Sequence, residues 1–454
     1  MLKIYNSLTR QKEEFIPIQA DTVKMYTCGQ TVYNHIHVGN ARFYVVYDAV
    51  RRYLEYCGYN VEFVQNFTDI DDKTIQRALE EGVSCDEIAA KYIASTIDDL
   101  AALNVMPATI NPRVTMEMPE IIAMVKELIE RGVAYENGGT VYFAVNKFAD
   151  YGKLSKKNID ELAPGARIEV ETGKENPLDF VLWKPAKDNE PSWQSPWGNG
   201  RPGWHIECSA MIRKYLGDQI DIHGGGQDLV FPHHENEIAQ TEAITGKNFA
   251  NVWMHCGMIT VDHKKMSKSR GNFATLKEVA AKYPHDVLRF FFLSGHYRMP
   301  MEFTPAALEA AQQGLTRIKN CYSRLVEMAG STTEESTCPY FADFMRAMSD
   351  DFNTADAITA IFELVKHVNT QLAAAPCAQW CAKNLATLNQ MLTILGIPMP
   401  KAQVLDAEIE ALIAARQTAR KAKDFAKSDR VRDVLLGMGI VLEDTREGVR
   451  WHRA

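Results

Sequence analysis

The sequence predicts an α/β protein: a parallel sheet interrupted by an insertion, then a helical bundle and a small terminal domain. Three observations carry that prediction. The β-leaning runs Val23 to Thr27 and Val61 to Phe67 flank the amphipathic Ala41 to Tyr56, which is the pattern of a βαβ unit. The alternation breaks at Gly138-Gly-Thr-Val-Tyr-Phe and through the loop-rich 150–200 region, then resumes with Ile220-Asp-Ile-His223 as a short strand. From Pro305 to Leu395 apolar residues recur at helical spacing, and Gly396-Ile-Pro-Met-Pro400 punctuates the chain before its last segment.

Taken in order, the first element to carry chemistry is the loop Cys28-Gly-Gln-Thr-Val-Tyr-Asn-His-Ile-His-Val-Gly-Asn40-Ala-Arg. It lies between the first strand and the first helix, at the carboxyl edge of a parallel sheet, where a helix amino terminus offers unpaired N–H groups to phosphates. Cys28 is a possible metal ligand, and His35 and His37 stand one residue apart. Gly39 lets backbone approach a ligand closely. A buried cysteine and a helix-capping histidine are the competing structural reading of this loop.

Asn66-Phe-Thr-Asp-Ile-Asp-Asp-Lys73 occupies the next carboxyl edge, where Asp69, Asp71 and Asp72 read mainly as charge at a helix start. Helical patterns cover Asp86 to Leu103 and Met118 to Arg131. Pro, Gly and Trp crowd Trp183 to Trp204, which suits a structured loop returning to the site. Gly224-Gly-Gly226 follows the resumed strand, and its missing side chains allow a ligand to lie against backbone. Pro232 suits the first turn of a helix that puts His233 and Glu237 on one face, with His234 and Glu235 as competitors. With Cys28 and Cys208, such a helix brings together two thiolates, an imidazole and a carboxylate, a donor set that suits zinc. Leu276 to Phe292 reads as one helix.

Composition bounds the rest. At 454 residues the chain has room for about two to four domains. Its start is charged where a signal peptide needs an apolar stretch, and no run approaches membrane-spanning length. Nine cysteines without close CxxC pairs argue against a disulfide framework and for a reducing, cytoplasmic setting. A net charge of -8 means that any RNA contact rests on local basic surface.

His37-Val-Gly-Asn40, followed far downstream by Lys265-Met-Ser-Lys-Ser269, resembles the two nucleotide-binding signatures of class I aminoacyl-tRNA synthetases. The Cys28 loop, the Asn66 to Lys73 segment, Gly203-Trp-His-Ile-Glu-Cys-Ser-Ala-Met211 and His223-Gly-Gly-Gly-Gln-Asp-Leu-Val-Phe-Pro-His-His-Glu-Asn-Glu237 resemble the cysteinyl-tRNA synthetase family nearly end to end. The resemblance implies a Rossmann-like catalytic domain in two halves, 1–115 and 201–262, split by an insertion at 116–200. It further implies a lysine-motif and stem-contact region at 263–315, a helical bundle at 316–398 and an anticodon-binding domain at 399–454. The expected substrates are ATP with Mg2+, L-cysteine and tRNA(Cys), and a monomer is expected.

By the same resemblance His35, His37, Lys265 and Lys268 stabilise charge on the departing pyrophosphate. Gly39, Asn40, Gly225 and Asp228 bind nucleotide, Asp228 at the ribose. Gly29, Thr68 and Trp204 form the amino-acid pocket, and Cys28, Cys208, His233 and Glu237 hold one zinc. A soft substrate sulfur reaching that zinc separates cysteine from serine without editing, whereas a methylene yields only ~1–3 kcal/mol. Asn40 departs from the final histidine of the signature and cannot carry positive charge.

In the last segment basic residues between Arg416 and Asp433 outnumber acidic ones, and Phe425 is interleaved with them. A solvated helix with charge pairs is the plainer reading. The resemblance instead implies RNA contacts at Arg420, Phe425 and Asp429, with phenylalanine where the family usually has tryptophan. Two rival functions share the motifs: an ATP-dependent ligase joining cysteine to a small-molecule amine, and a zinc-stabilised RNA-binding protein with a dead nucleotide site.

Overall fold

The computed structural model describes residues 1–157, 173–188, 190–261, 264–265, 274–330, 338–374, 376–399, 407–438, 440–445 and 448–453. A four-stranded parallel sheet lies at its centre. In chain order its strands are β1 (Thr22–Thr27), β2 (Asn60–Gln65), β3 (Ile220–Gly226) and β4 (Ala250–Cys256), arranged β4-β3-β1-β2. From β1 the chain crosses to β2 on one side, and from β3 to β4 on the other. The neighbours β1 and β3 therefore flank the point where strand order reverses, and a crevice opens beyond their carboxyl ends. All but the last residue of β3 is buried, as expected of a parallel strand covered on both faces.

Helix α1 (Val38–Tyr56) connects β1 to β2 and buries Tyr44, Tyr47, Val50 and Tyr53. The Tyr47 hydroxyl accepts a hydrogen bond from the Gly225 N–H at 2.9 Å and donates to the Met254 carbonyl at 2.5 Å, so α1 is pinned to β3 and β4. Between β2 and β3 stand the helices Asp72–Glu81 and Cys85–Ala102, then the helix Met118–Glu130, with which the 116–200 insertion opens before its sheet. That sheet is five-stranded and antiparallel, built from 134–137, 140–143, 180–185, 193–195 and 198–202. Helix α2 (Trp204–Tyr215) leads from it back to β3, and α3 (Glu235–Thr245) joins β3 to β4.

The stretch read as one helix from Leu276 to Phe292 is two, Leu276–Ala280 and His285–Leu293. Pro284 lies between them, and a proline disfavours α geometry at the residue before it. Helices Pro305–Ala329, Pro339–Ser349, Thr354–Leu372 and Ala378–Ile394 follow. Their apolar faces share one core with the sheet, running from Val23, Met25 and Tyr47 through Leu288 and Phe291 to Ile361 and Leu388.

Residues Met1–Met399 form one compact unit and Pro400–Ala454 a second. The second packs helices Ala407–Lys421 and Phe425–Gly437 with the hairpin Ile440–Thr445/Gly448–Arg453 around Ile409, Leu435 and Ile440. The basic stretch is thus broken at Lys423, whose φ of 59° is left-handed. Arg416, counted among its surface cations from sequence, is buried.

Candidate active site

A cleft of about 300 Å³ opens at the carboxyl ends of β1 and β3. Cys28, Gly29, His35, His37, Gly39 and Asn40 line one wall, and Thr68, Trp204, Cys208, Asp228 and His233 stand around the rest. Residues more than 200 positions apart in the chain are therefore neighbours. Glu237 is buried beneath the wall, and Gly225 does not line the cleft, although Gly226 does. A Cβ on Gly225 would fall 2.4 Å from the His234 ring, and one on Gly224 would fall 2.3 Å from the Tyr47 ring. These two glycines are required by internal packing. Lys268 lies outside the described residues, and Lys265 ends the short strand Lys264–Lys265.

Four donor atoms converge at the inner wall. Cys28 Sγ stands 3.8 Å from Cys208 Sγ and 3.5 Å from Glu237 Oε1, Cys208 Sγ stands 3.6 Å from His233 Nε2, and that nitrogen stands 2.9 Å from Glu237 Oε1. A tetrahedron with ~2.3 Å zinc–sulfur bonds has sulfur–sulfur edges of ~3.8 Å, so the thiolate pair matches and only the His233–Glu237 edge is short. The carboxylate and imidazole sit at i and i+4, as the spacing predicted. Pro232, however, precedes α3 in a wide turn, with Phe231 extended, instead of opening the helix. A second buried set, Cys28, His223, His234 and Glu237, shares two of these donors. Cys28, Cys208 and His233 line the cleft, while His223 and His234 do not.

Charge around these donors is strongly displaced from ordinary values. The Cys28 thiol, donating to Cys208, brings the Cys208 thiol down to about 6 despite burial. Burial alone would depress the His233 imidazole, yet Glu237 and Cys208 hold it up at about 10. Burial likewise works against the Glu237 carboxylate, but His223 and His233 keep it well below the usual range. Cys208 and Glu237 thus favour their anionic forms, while burial pushes the Cys28 thiol up and His233 favours its protonated form, so a divalent cation bound here would release protons from those two groups. Trp204 stacks on His233 with ring centroids 4.2 Å apart and is 42% exposed, so it walls the cleft as well as packing.

The opposite wall of the cleft is built on the first turn of α1. His37 caps the helix: its Nδ1 accepts from the N–H groups of Gly39 at 3.0 Å and Asn40 at 3.2 Å. A neutral ring accepting at Nδ1 carries its proton on Nε2. The Asn40 side chain reaches back to accept from the His37 N–H at 3.3 Å, closing a capping box. The structure therefore shows the capping reading of His37. His35 is oriented by Ser95, whose hydroxyl is 2.7 Å from its Nδ1, and by the edge of Tyr92. Burial, helped by Lys277, Lys91 and Arg77, pushes its imidazole down toward the neutral form.

Thr68 Oγ1 donates to Glu207 at 3.4 Å, and Gly29 N–H donates to the Asn66 side chain at 2.8 Å. A Cβ on Gly29 would fall 1.5 Å from the Asn66 carbonyl oxygen, so only glycine fits. Asp71 caps the helix Asp72–Glu81, Asp72 pairs with Arg201 and Lys184, and buried Asp69 accepts from Thr115. All three are structural. Sequence reasoning missed Ser95 and Tyr92, which come from the helix Cys85–Ala102 with no local motif to announce them. It also missed the buried chain from His234 through His255 to Ser7, although His234 had been weighed as a ligand.

In the terminal unit Phe425 is 62% exposed at the start of its helix. Asp429 pairs with Arg432 at 3.5 Å on the same helix, while Arg420 lies in the last turn of the preceding one.

A parallel sheet with reversed strand order, a cleft at the reversal and a capped helix start facing it make a doubly wound, Rossmann-like fold, which is the fold of class I aminoacyl-tRNA synthetases. Solved relatives agree: methionyl-tRNA synthetase of Mycobacterium tuberculosis superposes with a TM-score of 0.61 at 16% identity, over 83% of this chain and 89% of that one. The leucyl enzyme of Agrobacterium radiobacter K84 gives 0.63 at 11% identity, over 84% and 85%. The family described as "tRNA synthetases class I (C) catalytic domain" matches residues 14–313. A DALR domain matches 343–399, and a cysteinyl-tRNA ligase anticodon binding domain matches 402–451. The cysteine–tRNA ligase of Lachnoclostridium phytofermentans is 57% identical and that of Lachnospira eligens 52%, each covering all of both chains. The cysteine–tRNA ligase of Clostridioides difficile, at 50%, also matches over its full length. The chain belongs to the cysteine–tRNA ligase family.

Proposed function

We propose that this chain activates L-cysteine with ATP to cysteinyl-adenylate and passes the cysteinyl group to the 3′-terminal adenosine of tRNA(Cys), with zinc held by Cys28, Cys208, His233 and Glu237. The observation that carries this is the convergence of those four donors on the wall of a cleft whose other side is a capped helix amino terminus. Bound there, zinc supplies a soft Lewis acid for the substrate thiolate, which a serine hydroxyl does not match. Gly29, Thr68 and Trp204 shape the amino-acid end, and Gly39, Asn40 and Asp228 hold the nucleotide, with Gly226 lining the cleft where the sequence suggested Gly225.

Attack of the cysteine carboxylate on the α-phosphorus expels pyrophosphate. His35 and His37 act with the N–H groups of α1 and with Lys265 and Lys268 on the charge that develops, with Mg2+ accompanying ATP. Residues 1–115 and 201–262 make the catalytic halves, 116–200 the insertion, 263–315 the lysine-motif and stem-contact region, 316–398 the bundle and 399–454 the anticodon reader, with Arg420, Phe425 and Asp429 at the RNA. The small-amine ligase reading finds no support among relatives that are cysteine–tRNA ligases over their whole length.

The test is cysteine-dependent exchange of pyrophosphate into ATP with serine as control, run beside elemental analysis. One zinc per chain and exchange with cysteine alone are expected. Cys208→Ser should lose zinc and cysteine affinity together, and a metal-free protein with full cysteine affinity overturns the zinc assignment.

A further inference from the structure

Arg42 lies on α1, just beyond the turn capped by His37, and is 1% exposed. Its Nη1 donates to the carbonyl oxygens of Gly257 at 2.9 Å and Met258 at 3.3 Å. Its Nη2 donates to those of His296 at 3.2 Å, Tyr297 at 3.4 Å and Met299 at 2.8 Å. Among the described residues no carboxylate pairs with this guanidinium. Arg289, fully buried like Arg42, has Asp48 as its anion. A buried cation is costly unless other groups solvate it, so the carbonyl dipoles are what keeps Arg42 charged in place. Conversely, without a cation those five converging oxygens repel one another.

The two segments so gathered form the base of the small sheet that leads into the lysine motif. Gly257 and Met258 line the cleft just after β4 and run into the strand Ile259–Val261. That strand pairs with Lys264–Lys265 on one side and with Met301–Glu302, just after the second segment, on the other. The segments meet closely: Gly257 N–H donates to the Tyr297 carbonyl at 2.8 Å, and a Cβ on Gly257 would fall 2.5 Å from the Met299 oxygen. One side chain thus fixes the start of the phosphate-facing helix to the root of the strand that carries Lys265.

We propose that Arg42 is a positioning residue for adenylate formation, acting through the Ile259–Val261/Lys264–Lys265 strands on the placement of Lys265. The inference rests on the reading of Lys265 as a group that acts on the leaving pyrophosphate. A fork donating in two directions is not replaced by the point charge of lysine. A small displacement of a reacting group costs up to ~100-fold in rate.

The test is a double-variant cycle on the full chain, reading the pre-steady-state rate and amplitude of adenylate formation. Arg42→Lys is expected to slow the step about 10- to 100-fold while leaving amplitude, zinc content and the KM for cysteine unchanged. Lys265→Ala is expected to slow it too, and the double variant to fall within about threefold of the slower single variant. Multiplying effects, a loss of amplitude alone, or a wild-type rate in Arg42→Lys overturns the inference. An unchanged rate in Lys265→Ala removes the Lys265 reading and this route with it. If Arg42→Lys does not fold, Arg42→Gln carries the same cycle.

Discussion

His255 shows how single buried groups set the behaviour of this site. Burial, with His223 nearby, brings its imidazole down to about 3, far below an exposed histidine near ~6.5. Between those values the unfolded chain binds a proton that the folded chain does not, so stability rises with pH across the window and is lost as pH falls through it. His255 alone contributes up to about 1.4 kcal/mol per pH unit there. His255→Gln should therefore flatten the acid limb of a stability–pH profile measured by denaturant unfolding between about pH 6.5 and 4. An unchanged slope would show that this group does not titrate as its surroundings dictate. Gly225 makes a steric prediction at the same scale. Gly225→Ala drives a methyl into the His234 ring, with Leu229 at 3.2 Å on another side, and should cost about 1–3 kcal/mol. A thermal melt equal to wild type would refute the packing argument.

At the scale of elements, the cap of α1 joins stability to the proposed nucleotide site. Asn40 has a folding role as the acceptor that closes the box with His37, which accounts for an amide at a position where the wider signature has histidine. Asn40→Asp keeps the acceptor and adds a negative charge favoured by the helix dipole, so stability should change by less than about 0.5 kcal/mol. In the proposed nucleotide site the same charge would face the phosphates, so the KM for ATP in pyrophosphate exchange should rise several-fold, with cysteine KM unmoved. A variant with normal ATP kinetics would move the nucleotide away from this turn.

For the whole molecule, the division between Met399 and Pro400 separates the cleft from the unit carrying Phe425. Every cleft-lining residue falls in the first unit. A chain ending at Met399 should retain cysteine-dependent pyrophosphate exchange but charge tRNA poorly at limiting RNA. The full chain's RNA affinity should fall as salt rises. Equal charging by the truncated chain would remove the anticodon role of the last domain. Burial of Arg416 already narrows that role, since the cationic surface must be drawn from the remaining bases.

By itself the sequence determined what local chemistry can express: a strand–loop–helix unit with a phosphate-ready turn, an i, i+4 histidine–glutamate pair, and a punctuated boundary at Gly396-Ile-Pro-Met-Pro400. It also named the donors of the metal cluster, because their motifs resemble a known family. Only the tertiary structure decided that Cys28 and Cys208 stand 3.8 Å apart, that Gly225 packs against His234, and that Ser95 orients His35. It also turned a presumed single helix into two at Pro284 and buried Arg416. The physical reason is range. Capping, periodicity and turn chemistry act over a few residues and leave a pattern in the chain. Contacts such as Arg42 with Gly257 and Met299 are made across more than 200 positions, where the order of parallel strands, not any local sequence, brings the partners together.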